Sequence, residues 1–112
     1  MRKLVGFTYD YQLANPDFIR LVMNENIHRG EFLAQSKTIQ KVNVPAIDAL
    51  TRIYERGVTS GVFRNAIDVI DLHMSISALC FYNVSNQHTF SLVFKRDFES
   101  PAAIVARRDS VV

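Results

Sequence analysis

The chain has 112 residues, 48% hydrophobic and 21% charged, with only four glycines and three prolines. That length holds one core rather than two, and the composition excludes low-complexity, collagen-like and disordered classes. Thirteen Lys and Arg against eleven Asp and Glu leave a formal charge of +2. The basic pairs Arg2-Lys3, Lys95-Arg96 and Arg107-Arg108 lie far apart in sequence, so no basic face for nucleic acid is legible.

Leu4, Val5, Phe7, Tyr9, Tyr11 and Leu13 favour a first helix, because Asn15-Pro16-Asp17 follows. That tripeptide reads as a helix start: Asn as N-cap, Pro at the first helical position, Asp at the positive end of the dipole. Phe18, Ile19, Val22, Met23, Ile27, Phe32 and Leu33 then recur at steps of three to five, which predicts one helix running to about Ser36 with Gly30 tolerated inside it. The polar stretch from Lys37 to Asn43 reads as a connector or single turn. Val44-Pro45 opens the next helix, with Ile47, Leu50, Ile53, Tyr54 and Val58 on one side and Asp48, Arg52 and Glu55 opposite.

Two glycines four apart, Gly57 and Gly61, follow in R-G-V-T-S-G-V-F-R. They are not a phosphate loop: the spacing is not G-x-G-x-x-G, and no strand precedes. A close helix crossing would need an apolar 20-mer. Punctuation remains: Gly57 as a tolerated glycine in the last turns, and Gly61 as the residue whose positive φ ends the helix.

Asp68 followed by Asp71 predicts a capped helix start. The helix it opens, to Val84, is apolar on nearly every side, and such a helix must be covered all round. A single small domain covers it poorly, so a partner subunit is expected. The run from Ile76 to Val84 is far short of the roughly 20 residues that span a bilayer, and no signal-peptide pattern is present. Cys80, the single cysteine, rules out an internal disulfide framework and fits a reducing compartment. A soluble, cytoplasmic protein with no membrane partner is expected. The polar stretch from Asn83 to Thr89 predicts a break, Thr89 to Lys95 a short helix, and Ser100-Pro101 an N-cap pair for a last helix holding Ile104, Val105, Val111 and Val112, whose pattern is still running at the final residue. With no strand, hairpin or repeat legible, the fold class is all-α, a bundle of four to five helices forming one domain over residues 1–112.

Taken in order, F-T-Y-D-Y at Phe7 to Tyr11, N-P-D-F-I-R-L-V at Asn15 to Val22, E-N-I-H-R-G at Glu25 to Gly30, R-G-V-T-S-G-V-F-R at Arg56 to Arg64, D-L-H at Asp71 to His73 and S-N-Q-H-T-F-S at Ser85 to Ser91 resemble the C-terminal domain of TetR-family transcriptional regulators. The resemblance implies an all-α domain that forms a homodimer and holds a small-molecule effector. It also implies a repressor that reaches DNA only through a helix-turn-helix domain, which this sequence does not contain, and a last helix that is cut short.

In such a domain the pocket is implied between the segments Pro16 to Gln35, Pro45 to Ser60 and Asp68 to Val84. Polar or polarisable groups on apolar faces select Met23, Ile27, His28, Tyr54, His73, Ser77, Phe81 and Tyr82 as ligand contacts. Leu72, Ile76, Leu79, Asn83, Ile104 and Val105 are the implied dimer contacts. Against five of the ligand candidates stands a plainer role: Met23, Ile27 and Phe81 as core, and His28 and His73 as groups that bond a backbone carbonyl. Glu25-x-x-His28 has the spacing of di-iron carboxylate bundles, but a second copy is missing, so no metal or other cofactor is expected. His73 and Cys80 lie about 10 Å apart along a helix axis, too far for a thiolate–imidazole pair. With no nucleophile motif either, no enzyme is expected. Arg56, Arg64, Arg107 and Arg108 read as solvated charges or helix-end partners. The reading from a different class is a free-standing helical dimerisation module that binds no small molecule.

Overall fold

The computed structural model describes residues 1–112, apart from the side chains of Ile39, Gln40 and Val42. The described residues form seven α-helices and no strand: α1 (Arg2–Ala14), α2 (Pro16–Ile27), α3 (Lys37–Val42), α4 (Val44–Thr59), α5 (Val69–Ser85), α6 (Gln87–Val93) and α7 (Pro101–Val111), with a 3-10 turn over Leu33–Gln35 between α2 and α3. The all-α expectation holds. The count exceeds four to five in part because α3 forms where a connector or single turn was expected; the short helix expected from Thr89 to Lys95 is present as α6 but starts earlier, at Gln87.

The long second helix is not one helix. Arg29 and Gly30 both take left-handed φ, at 56° and 72°, and end it after Ile27. Glu25 then holds the turn, its carboxylate accepting the Leu33 N–H at 3.0 Å. Asn15 also departs from its expected role. It sits at the start of α2 without a side-chain cap, and its amide instead donates to the Tyr11 carbonyl at 2.7 Å, serving the open C-terminal end of α1. Pro16 and Asp17 occupy the first turn of α2 as expected.

The other caps follow the sequence. Asp68 accepts the Asp71 N–H at 2.9 Å, and Ser100 accepts the Ala103 N–H at 3.3 Å with Pro101 at the first helical position. α4 ends in a Schellman motif: the Val62 N–H reaches the Gly57 carbonyl at 2.8 Å and the Gly61 N–H reaches Val58 at 3.0 Å, with Gly61 at φ 74°. Gly57 is not merely tolerated. A Cβ there would stand 1.9 Å from Cδ2 of Phe63, so the missing side chain is what lets the Phe63 ring lie on the helix. Phe63 stacks on Tyr54 at 6.4 Å between ring centroids.

The core is built around α5, which packs against α1, α2 and α4. Val5 and Tyr9 of α1, Leu50 of α4, and Ile76 and Cys80 of α5 form its centre, with Leu4, Leu13, Leu72, Val111 and Val112 packed on it. The body is a slab of 45 × 38 × 21 Å. Its radius of gyration of 15.9 Å exceeds the roughly 13 Å of an equally long compact domain. A slab two helices thick cannot cover a helix that is apolar on all sides, and α5 accordingly leaves Ile70 and Met74 exposed, Met74 at 65%. No helix is long and apolar enough to cross a membrane among the described residues.

Candidate functional site

A cavity of about 310 Å³ lies where α1, α5, α6 and α7 meet. α1 contributes Tyr9 and Leu13, α5 contributes Tyr82 and Asn83, and α7 contributes Ala103, Ile104 and Arg107. Asn86, Gln87 and Phe90 close it from α6 and its start, and Phe98 from the loop before α7. These residues meet because α5 stops at Ser85, the chain turns at Asn86, and α6 and the following loop fold back towards the Ser100 cap of α7.

Four of the eleven lining residues are aromatic: Tyr9, Tyr82, Phe90 and Phe98. Phe90 contacts Tyr82 edge-on at 5.7 Å, Phe98 at 5.4 Å and Phe94 at 4.6 Å between centroids. The polar groups are few and held. Arg107 Nε donates to Asn83 Oδ1 at 2.8 Å, and the Asn83 amide donates in turn to the carbonyls of Leu79 and Cys80. Asn86 donates to Ser85 Oγ at 2.6 Å. Tyr9 donates to the Ile104 carbonyl at 3.5 Å. Burial pushes the Tyr9 phenol above its ordinary range, against the opposing pull of Arg107 and Arg108.

α7 is fastened at the far side by a two-point ion pair. Arg108 Nε lies 2.6 Å and its Nη2 lies 2.8 Å from the two oxygens of Asp10 on α1. The hydrogen bonds from Arg108 hold the Asp10 carboxyl below its ordinary value. Arg107 and Arg108 are therefore partners of α5 and α1 rather than free surface charges.

A larger trough of about 770 Å³ runs along α4 past Arg52, Ile53 and Arg56. Its lining residues among the described ones come from that one helix and its C-cap Ser60, so they form a single wall.

Of the eight residues expected to contact a ligand, Tyr82 alone lines the enclosed cavity. Tyr54 is buried, and its hydroxyl donates to the Arg64 carbonyl at 2.9 Å and accepts the Ile67 N–H at 3.0 Å, which ties the α4–α5 joint. Ile27 is 76% exposed and His28 bonds the Asn24 carbonyl at 2.9 Å at the end of α2, so neither faces a pocket wall on α5. Met23, His73, Ser77 and Phe81 are half-buried, with His73 Nε2 and Ser77 Oγ 3.5 Å apart along α5. The cavity of about 310 Å³ instead lies at the C-terminal end of α5, beside Tyr82 and Asn83.

The implied dimer contacts also divide. Ile76 belongs to the chain's own core, and Leu72, partly buried, packs against it. Asn83 and Ile104 line the cavity. Leu79 and Val105, 47% and 57% exposed, face outward. The cavity residues that sequence reading passed over were Tyr9, Leu13, Asn86, Gln87, Phe90, Phe98, Ala103 and Arg107. A usable signal was present in Phe90, Phe94 and Phe98, spaced by four across a helix and its exit loop.

An all-helical bundle with a small aromatic cavity beneath its last helix is the class this geometry defines. Residues 1–112 match in full the family described as tetracyclin repressor-like, C-terminal domain, and the chain belongs to that family. Among curated proteins, the HTH-type transcriptional repressor NicS of Pseudomonas putida is 33% identical over 91 residues, 81% of this chain and 43% of that protein. The chain thus spans less than half the length of that relative. No solved structure is significantly similar to it.

Proposed function

We propose that this domain is the regulatory part of a TetR-type transcriptional repressor, which binds a small-molecule effector and forms a homodimer. The observation that carries the reading is the cavity of about 310 Å³, lined by aromatic and aliphatic side chains with Asn83, Asn86, Gln87 and Arg107 as its polar groups, a composition that suits a small-molecule site. Its position supports a mechanism. The cavity lies between α5 and α7, so an occupant changes how these two helices sit. Exposed Ile70, Met74, Leu79 and Val105 on the same two helices are surface a second copy would cover.

Operator DNA would be read by a helix-turn-helix domain outside the matched segment. An effector that prefers one arrangement of the dimer shifts the spacing of its two reading heads. Half-sites lie about 34 Å apart, so a small rotation at α5 and α7 weakens binding.

Two measurements on the purified chain test this. Light scattering should give twice the 12.8 kDa chain mass. A thermal-shift screen of small molecules should find stabilisers whose effect disappears in Ala103→Trp, which fills the cavity. A stable monomer refutes the dimer. Stabilisers that act equally on Ala103→Trp refute the cavity as the effector site, and a dimer stabilised by none of them favours a dimerisation module without a ligand.

A further inference from the structure

We propose that the effector taken by this cavity is a small aromatic carboxylate, one flat ring with an anionic group, bound with its carboxylate on Arg107. The inference rests on the effector reading above and adds the chemical class. Arg107 is the one charged residue lining the cavity, and no Asp or Glu lines it among the described residues. The acids next to lining residues in the chain are engaged elsewhere: Asp10 with Arg108, Glu99 with His88 at 3.1 Å, and Asp97, which accepts the Glu99 N–H at 2.9 Å. A bound anion therefore meets a cation and no opposing carboxylate, whereas a bound cation meets repulsion.

Arg107 is also oriented. Its Nε is fixed on Asn83 at 2.8 Å, and a guanidinium held by Nε keeps its Nη donors in a planar fork that matches a carboxylate. A second positive group, the Arg96 guanidinium, sits 5.4 Å over the Phe98 ring of the wall. Size and shape select the rest of the ligand. About 310 Å³ is at the lower end of the roughly 300–1,000 Å³ of small-molecule sites. The perpendicular and tilted rings around Phe90 offer edges and faces at the 4.5–7 Å spacing that an added ring uses. Because Arg107 bonds Asn83, a carboxylate arriving there acts on the tie between α7 and α5.

Calorimetric titration of the purified chain with benzoate and with neutral benzamide tests this. Benzoate is expected to bind at least tenfold more tightly, with an affinity that falls as salt rises. Arg107→Gln should abolish that preference, and Arg107→Lys should retain part of it. Far-ultraviolet circular dichroism shows whether each variant is folded, and the wild-type comparison of the two ligands stands without either. Equal affinity for the two ligands, a preference for benzamide, or a preference that survives Arg107→Gln in a folded variant overturns the proposal. So does failure of benzoate to bind at all. The broader effector reading survives these failures if other small molecules still stabilise the chain in a way that Ala103→Trp abolishes.

Discussion

Replacing Gly57 with alanine should destabilise the domain, although the same change in an ordinary helix interior is worth a gain of about 1 kcal/mol. A Cβ at this position would stand 1.9, 2.3 and 2.8 Å from Cδ2, Cε2 and Cγ of Phe63. The ring must swing off α4. That costs overpacking of about 1–3 kcal/mol and the stacking on Tyr54, a further 0.5–1.5 kcal/mol or about that for an aromatic pair. Setting the helix-propensity gain against these leaves a net loss of about 1–3 kcal/mol. At this chain length it corresponds to a fall in Tm of about 4–12 °C, read by circular dichroism at 222 nm. The double-mutant comparison isolates the cause. In a Phe63→Ala background the clash is gone, and Gly57→Ala should there be neutral or stabilising by about 1 kcal/mol. A rise in Tm from Gly57→Ala alone, or an equal loss in both backgrounds, would refute the packing argument.

Two further outcomes follow from the ionisable groups. Arg108 depresses the Asp10 carboxyl, so the clasp between α7 and α1 stabilises the fold above the unfolded-state pKa of about 4. That contribution is lost as pH falls through the depressed folded value. In urea titrations Asp10→Asn should be less stable than wild type at neutral pH, and the gap should close on acidification; a gap that widens would contradict the sign. Cys80 is buried, 1% exposed, and burial pushes its thiol above the ordinary range. A thiol reagent should therefore label the native chain at the rate of opening or unfolding rather than at the rate of a free thiol, and immediately in denaturant. Fast labelling of the folded protein would mean that α1 does not cover α5 as described.

Local chemistry made much of this protein legible. Asp68, Ser100 and Gly61 act over four residues or fewer, so their roles at the ends of α5, α7 and α4 can be read from neighbours in the chain. The even apolarity of α5 likewise implied cover on several sides, and α1, α2 and α4 provide it on three. Gly57 was misread because its reason, the Phe63 ring, arrives six residues later through a turn. The helix expected to Ser36 broke after Ile27 because Arg29 joins Gly30 in the left-handed region, which a stripe of apolar spacing does not report.

The candidate site was legible only in part for the same reason. Helical periodicity says which residues share a face but not which neighbour that face meets. Leu72 and Ile76 carry the right spacing for a dimer seam, and within the chain Ile76 joins the core with Val5, Tyr9 and Leu50 while Leu72, partly buried, packs against it. Arg107 looks in sequence like any solvated arginine, and only the return of α7 beside α5 sets it on Asn83 at a cavity shared with Tyr9, 98 residues earlier in the chain. The sequence by itself determined the all-α class, the family and most helix ends, because these depend on residue order and near neighbours. Tertiary structure decided which end of α5 holds the cavity and which charge faces it, because those depend on contacts between residues that local spacing does not relate.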